Sequence, residues 1–121
     1  MLQGKFVGEY PFIQILIASG DAAQKRYFLL DTGFSGYLCI NFAIAKELNI
    51  KADNVKTIRL AHGENTKVQS GAIQAVLENK IGDVEVLISD SLPLVGIKFL
   101  SLFGCKLTMD CKNRNLFLEC I

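Results

Sequence analysis

The sequence predicts a mostly β chain with two short helices, and three observations predict it. Apolar, β-branched runs of strand length recur along the chain, each bounded by Gly, Asn, Asp or Ser turn signals. Only two segments read as helix, and both are short. Two apolar runs also end abruptly in a glycine-bearing stop, Leu29-Leu30-Asp31-Thr32-Gly33 and Leu94-Val95-Gly96.

Taken in order, "FIQILIAS" (12–19) is a strand, "SGDAAQ" (19–24) a turn and "KRYFLLD" (25–31) the returning strand. After "GYLCI", the segment "NFAIAKELNI" (41–50) reads as a helix. Asn41 is its N-cap, and Phe42, Ile44, Ala45 and Leu48 form its apolar face. "VKTIRLA" (55–61), "HGEN" (62–65) and "TKVQSGAIQAVLE" (66–78) form a second hairpin, with turn-forming residues at its tip. "DVEVLISD" (83–90) alternates with period two through Val84, Val86 and Ile88. "PLVGIKFLSLFG" (93–104) is a strand, a glycine and the second helix. "CKLTMD" and "NLFLECI", joined by "CKNR", close the chain as a third hairpin.

The 121 residues suit a single domain, 1–121, with a core that needs neither metal nor disulfide. Half the residues are hydrophobic and 21% are charged, a globular composition. The net charge is +1, and Lys51, Lys56, Arg59 and Lys67 are scattered rather than gathered in a stripe, so no nucleic-acid partner is expected. No segment is long and apolar enough to span a bilayer, and "MLQGKFVGEYPF" lacks the order of a signal peptide. A soluble cytoplasmic protein with no membrane partner is therefore expected. With one His and no Cys-x-x-Cys, neither a metal site nor another cofactor is expected. Cys39, Cys105, Cys111 and Cys120 are expected as four thiols in or near strands, the last three near enough to oxidise.

The chemistry gathers at Asp31. A carboxylate at the end of a buried strand is costly unless it is hydrogen-bonded or paired. On its own it reads as a turn residue. Its setting resembles that of retropepsin-like aspartic proteases, including small bacterial members. Their pattern is two hydrophobic residues, Asp-Thr/Ser-Gly, a short helix, a flap hairpin, then two hydrophobic residues and Gly before a second helix. Here "LLDTG" (29–33), "NFAIAKELNI", the hairpin around 55–78 and "LVG" (94–96) follow in that order over nearly the whole chain.

The resemblance implies a closed or nearly closed β-barrel of retropepsin type with a flap. It implies an aspartic endopeptidase, a hydrolase in which Asp31 is the catalytic carboxylate. One chain supplies one such Asp, so the active form would be a homodimer acting on a peptide or protein substrate. Thr32 and Gly33 would support the catalytic loop, and Leu94, Val95 and Gly96 would pack beneath it. Phe34, Ser35, Ala61, His62 and Gly63 would meet the substrate. Phe34 stands where relatives often carry Ala, Ser or Thr, though small bacterial members tolerate it. Ser35 stands where viral enzymes often place an Asp that grips peptide backbone, and a hydroxyl binds there more weakly.

Plainer readings belong beside these. His62 is an exposed hairpin tip, and Lys56, Arg59 and Lys67 are a solvated face. Asp83, Asp90 and Asp110 are strand-end residues, none followed by Thr/Ser-Gly. The alternative function is a catalytically weak retropepsin-like module that binds peptides or dimerises. In retropepsins the chain ends interleave into an intersubunit sheet. "LFLECI" suits that role, and equally suits a hairpin that completes its own subunit's sheet.

Overall fold

Alternation along the longest strands sets the core. Ile13, Ile15 and Ile17 are completely buried, and so is Phe28 on the returning strand. The computed structural model describes residues 1–60 and 62–121. Its elements are β1 (Leu2–Gln3), β2 (Lys5–Val7), β3 (Tyr10–Ser19), β4 (Ala22–Leu30), β5 (Leu38–Ile40), α1 (Phe42–Glu47), β6 (Asn54–Arg59), β7 (Asn65–Leu77), β8 (Lys80–Ile88), β9 (Leu94–Val95), α2 (Ile97–Leu102), β10 (Cys105–Asp110) and β11 (Asn115–Cys120). The chain is mostly β with two short helices, as its patterning predicts.

The larger sheet has the order β2-β3-β4-β9-β5-β8-β7-β6. β3 also pairs with β7, Leu16 opposite Val76 and Ala18 opposite Gln74, so the run of pairings from β3 returns to β3. Four hairpins hold it in register among the described residues, the first being β2–β3 with Val7 opposite Tyr10. β3 and β4 turn through Gly20-Asp21, with Ser19 opposite Ala22 and Gly20 at φ 59°, a backbone that glycine adopts without strain. β6 and β7 pair from Asn54↔Ser70 to Arg59↔Asn65. β7 and β8 turn through Glu78-Asn79, with Leu77 opposite Lys80. β8 therefore begins three residues earlier than the apolar alternation suggests. The N-terminal pieces β1 and β2 carry no strand signal of their own; pairing with β11 and β3 makes them strands.

α1 starts as expected, with Asn41 Oδ1 accepting from the Ile44 amide at 2.9 Å. It ends at Glu47 rather than near Ile50, because Leu48 caps it and Asn49 turns into the left-handed region at φ 53°. Ile44, Ala45 and Leu48 are buried, but Phe42 is 54% exposed. It sits in the first turn, pointing off the face that reaches the core.

A second sheet, β1-β11-β10, is built from the chain ends. β11 lies between β1 and β10 and pairs with both within the chain. Leu116 and Leu118 tie it to the core. The short "CKNR" connection sets a register with Cys105 directly opposite Cys120, and the two are joined by a disulfide. This corrects the expectation of four thiols: Cys39 is a buried thiol and Cys111 an exposed one. Among the described residues, no helix is long and apolar enough to cross a membrane.

Two predictions follow from the β10–β11 hairpin. The disulfide closes a loop with a sequence separation of 15. Replacing both cysteines by Ser should cost about 3 kcal/mol in urea unfolding under oxidising conditions, by the loop-closure argument, with the far-ultraviolet dichroism unchanged. Parent and variant of equal stability would mean the bond does not form in solution. The second concerns Asp110, whose carboxyl lies below its ordinary range because the Asn113 backbone amide, the Asn113 side chain and the Lys112 amide donate to it. A folded-state value below the unfolded one contributes stability above the ordinary Asp range, lost as pH falls through the depressed value. The stability gap between the parent and Asp110→Ala should thus be constant near neutrality and narrow only in strong acid. A gap that widens in acid has the wrong sign for this arrangement.

Candidate active site

Strand β4 brings Leu30, nearly buried, to the edge of the core and delivers Asp31 to its rim, where it is half-buried. The carboxylate is not left bare. Asp31 Oδ1 accepts the Gly33 amide at 3.0 Å, and the Asp31 carbonyl accepts the Phe34 amide at 3.1 Å. Thr32 and Gly33 are exposed at the tip of the turn.

The second glycine stop supports this turn from beneath. β9, two residues long, lies between the strand entering the turn and the strand leaving it. Leu29 and Leu30 pair in parallel with Leu94 and Val95. Leu38 and Cys39 pair antiparallel with Val95 and Leu94. The backbone bonds continue into the loops. Leu29 N donates to Pro93 O at 2.8 Å, Asp31 N to Val95 O at 3.0 Å, Gly96 N to Tyr37 O at 2.9 Å and Ile97 N to Phe34 O at 3.1 Å. Leu94, Val95 and Gly96 lie against the Asp31 turn.

Gly96 is required by space rather than by conformation. Its backbone is extended, at φ −106° and ψ 179°, which any residue adopts. A Cβ there, however, would run into the Gly36 carbonyl, and would stand 2.6 Å from Phe34 O and 2.8 Å from the Phe34 ring. The Phe34 ring also lies against Gly36, where a Cβ would come within 2.6 Å of it.

Beside the turn is a cleft of about 260 Å³. Its walls are the turn segment 33–36, residues 56–59 of β6, Glu85 and Leu87 of β8, and Lys98 of α2. Three larger clefts, two of about 530 Å³ and one of about 410 Å³, touch no residue of the 31–36 turn. Phe34 and Ser35 line the cleft. His62 and Gly63 are exposed at the tip of the β6–β7 hairpin and are not part of the cleft wall. His62 Nε2 stands 3.2 Å from Glu64 Oε2. Ala61 lies outside the described residues.

Sequence reasoning missed Lys98. Lys56 and Arg59, read as a solvated face, are exposed. They also line the cleft, because the β6–β7 hairpin folds over the 33–36 turn. Lys56 Nζ is 2.6 Å from Glu85 Oε1. Lys98 reaches the cleft from the first turn of α2. Its one sequence signal is its place two residues after Gly96. No group of three or more His, Cys, Asp or Glu placed to hold a metal occurs among the described residues.

The fold is retropepsin-like. The chain is similar to the crystal structure of a retropepsin-like aspartic protease from Rickettsia conorii, with TM-score 0.65 and 19% identity over 98% of this chain and 88% of that one. It is similar to the EIAV protease in complex with the inhibitor HBY-793, with TM-score 0.65 and 20% identity over 85% of this chain and 96% of that one. No family model matches the sequence, and no curated protein matches it.

The contact at Gly96 gives a direct check. Gly96→Ala should cost about 3 kcal/mol in thermal or denaturant unfolding, the upper end of overpacking, because carbonyl oxygens rather than flexible side chains oppose the new methyl. A variant as stable as the parent would show that β9 does not approach the turn this closely.

Proposed function

We propose that the chain is an aspartic endopeptidase that works as a homodimer, with Asp31 of each copy supplying one carboxylate of a shared site. The observation that supports it most is the seating of Asp31. The carboxylate stands at a strand end, in a turn held on both sides by one inserted strand, and opens beside a cleft roofed by a long hairpin. The likeness to the two protease structures adds to this.

In this reading the chain is one domain, and the return pairing of β3 with β7 is the seam of a closed barrel. The barrel sets the Asp31 turn on its outer face, where a two-fold axis brings a second copy opposite. Two facing carboxylates cannot both ionise cheaply, so they share one proton. The ionised one takes a proton from a water, which attacks the scissile carbonyl carbon. The protonated one donates to the carbonyl oxygen. Collapse of the tetrahedral intermediate breaks the C–N bond as the leaving nitrogen is protonated.

Thr32 hydrogen-bonds across the axis and stiffens the paired turns. Gly33, without a side chain, leaves room for substrate backbone beside Asp31. The β6–β7 hairpin is the flap: its described tip residues, His62 to Asn65, close over an extended peptide and exclude water. Phe34 and Ser35 face one substrate side chain, and alternate side chains fall on alternate sides.

Two measurements test this together. Light scattering over a dilution series should give a two-subunit mass. Asp31→Asn should keep that mass and the dichroism spectrum while lowering peptide hydrolysis by roughly a thousandfold or more, since an amide can neither accept nor relay the proton. Cleavage by Asp31→Asn at the parent rate would end the proposal. A dimer that binds peptides without cleaving them would select the binding-module reading instead.

A further inference from the structure

Charge is distributed unevenly around the cleft beside the Asp31 turn. Its walls carry three cations, Lys56, Arg59 and Lys98, and one anion, Glu85. Lys56 is already engaged with Glu85 at 2.6 Å. Arg59 and Lys98 make no ion pair among the described residues. Lys98 Nζ sits 5.8 Å from the centroid of the Tyr37 ring, a contact that holds the chain in place and leaves its donors unused. The whole protein carries a formal charge of only +1, so this is a local concentration of positive charge and not the spill of a basic surface.

The remaining lining is apolar where a side-chain stem would lie. Leu87 is buried, and Phe34 and Ile58 are half-buried. A cleft of about 260 Å³ admits one side chain rather than a folded partner. Apolar walls with two uncompensated cations from different elements, β6 and α2, match a short aliphatic stem that ends in a carboxylate. Arg59 offers a forked donor and Lys98 a point charge, and both strengthen as the cleft closes and loses water.

We infer that this cleft is the specificity pocket for an acidic side chain, and that the peptides the chain accepts carry Glu or Asp at the position that lies against Phe34. The inference rests on the proposed peptide-binding site but not on turnover. Arg59 and Lys98 select and position the substrate; neither touches the scissile bond.

The test uses the full-length Asp31→Asn protein, so that bound peptides stay intact. Three pools of capped nonapeptides are passed over it, with the central residue fixed as Glu, Gln or Lys and the other positions randomised. The Glu pool should bind about tenfold more tightly than the Gln pool, with the Lys pool weakest, and the preference should shrink as salt is raised. Arg59→Glu combined with Lys98→Glu should reverse the order. If that double variant fails to fold, Arg59→Gln and Lys98→Gln should each reduce the Glu preference severalfold. Equal retention of the three pools, retention of none, or tightest binding of the Lys pool overturns the inference. Cleavage by the parent protein is scored separately. A chain that prefers acidic peptides but does not cut them refutes the protease and keeps the pocket. A chain that cuts with no acidic preference does the reverse.

Discussion

Everything at the candidate site depends on one backbone arrangement, the seating of the two-residue strand β9 between β4 and β5. A strand of two residues has no stability of its own. It exists because both neighbours bond it and because the loops at its ends continue the bonding, from Pro93 O to Ile97 N. Each backbone bond contributes about 1 kcal/mol net, and each would cost more than that if left unmade in a buried setting. The four loop bonds therefore act together: losing β9 would strand donors and acceptors on both sides of the Asp31 turn at once. Gly96 is where this arrangement becomes sterically exacting, because the turn's own carbonyls occupy the space a side chain would need.

This arrangement also separates Asp31 from an ordinary turn aspartate. The bond from the Gly33 amide to Asp31 Oδ1 does not, since any Asp that caps its own turn makes that bond two residues on. What an ordinary turn lacks is a second glycine stop, more than sixty residues away in sequence, built against it strand by strand. A half-buried carboxylate with one amide donor keeps acceptor capacity to spare, and here that capacity sits next to a lined cleft.

Much of this was legible in the sequence, for physical reasons that can be named. Period-two alternation marks β8, and apolar runs bounded by turn residues mark β3, β4 and β7. Asn41 marks the start of α1 because its side chain is the cap. The two glycine stops mark each other because glycine is what lets two loops approach. Other features leave no local signal. β1 and β2 are strands only because β11 and β3 pair with them. Phe42 looks like core at helical spacing but stands outside because the helix has barely begun. Whether Cys105 meets Cys120 is a matter of hairpin register, and whether Lys56, Arg59 and Lys98 meet one cleft is a matter of how a hairpin and a helix fold over one turn.

The position of the C-terminal strand bears on how two copies could share a site. β11 has β1 on one side and β10 on the other, so its backbone bonds are spoken for within the subunit. The disulfide joins it to β10, and Leu116 and Leu118 hold it in the core. Exchanging that strand between copies would remake the same pairings and refill the two leucine sites with the partner's strand, and it would require the Cys105–Cys120 bond to form between copies. The open edges of this small sheet are β1 and β10. In the proposed dimer the copies meet at the paired turns, where Thr32 and Gly33 are exposed. The sheet of chain ends then serves as a finished part of each subunit, carried into the assembly intact.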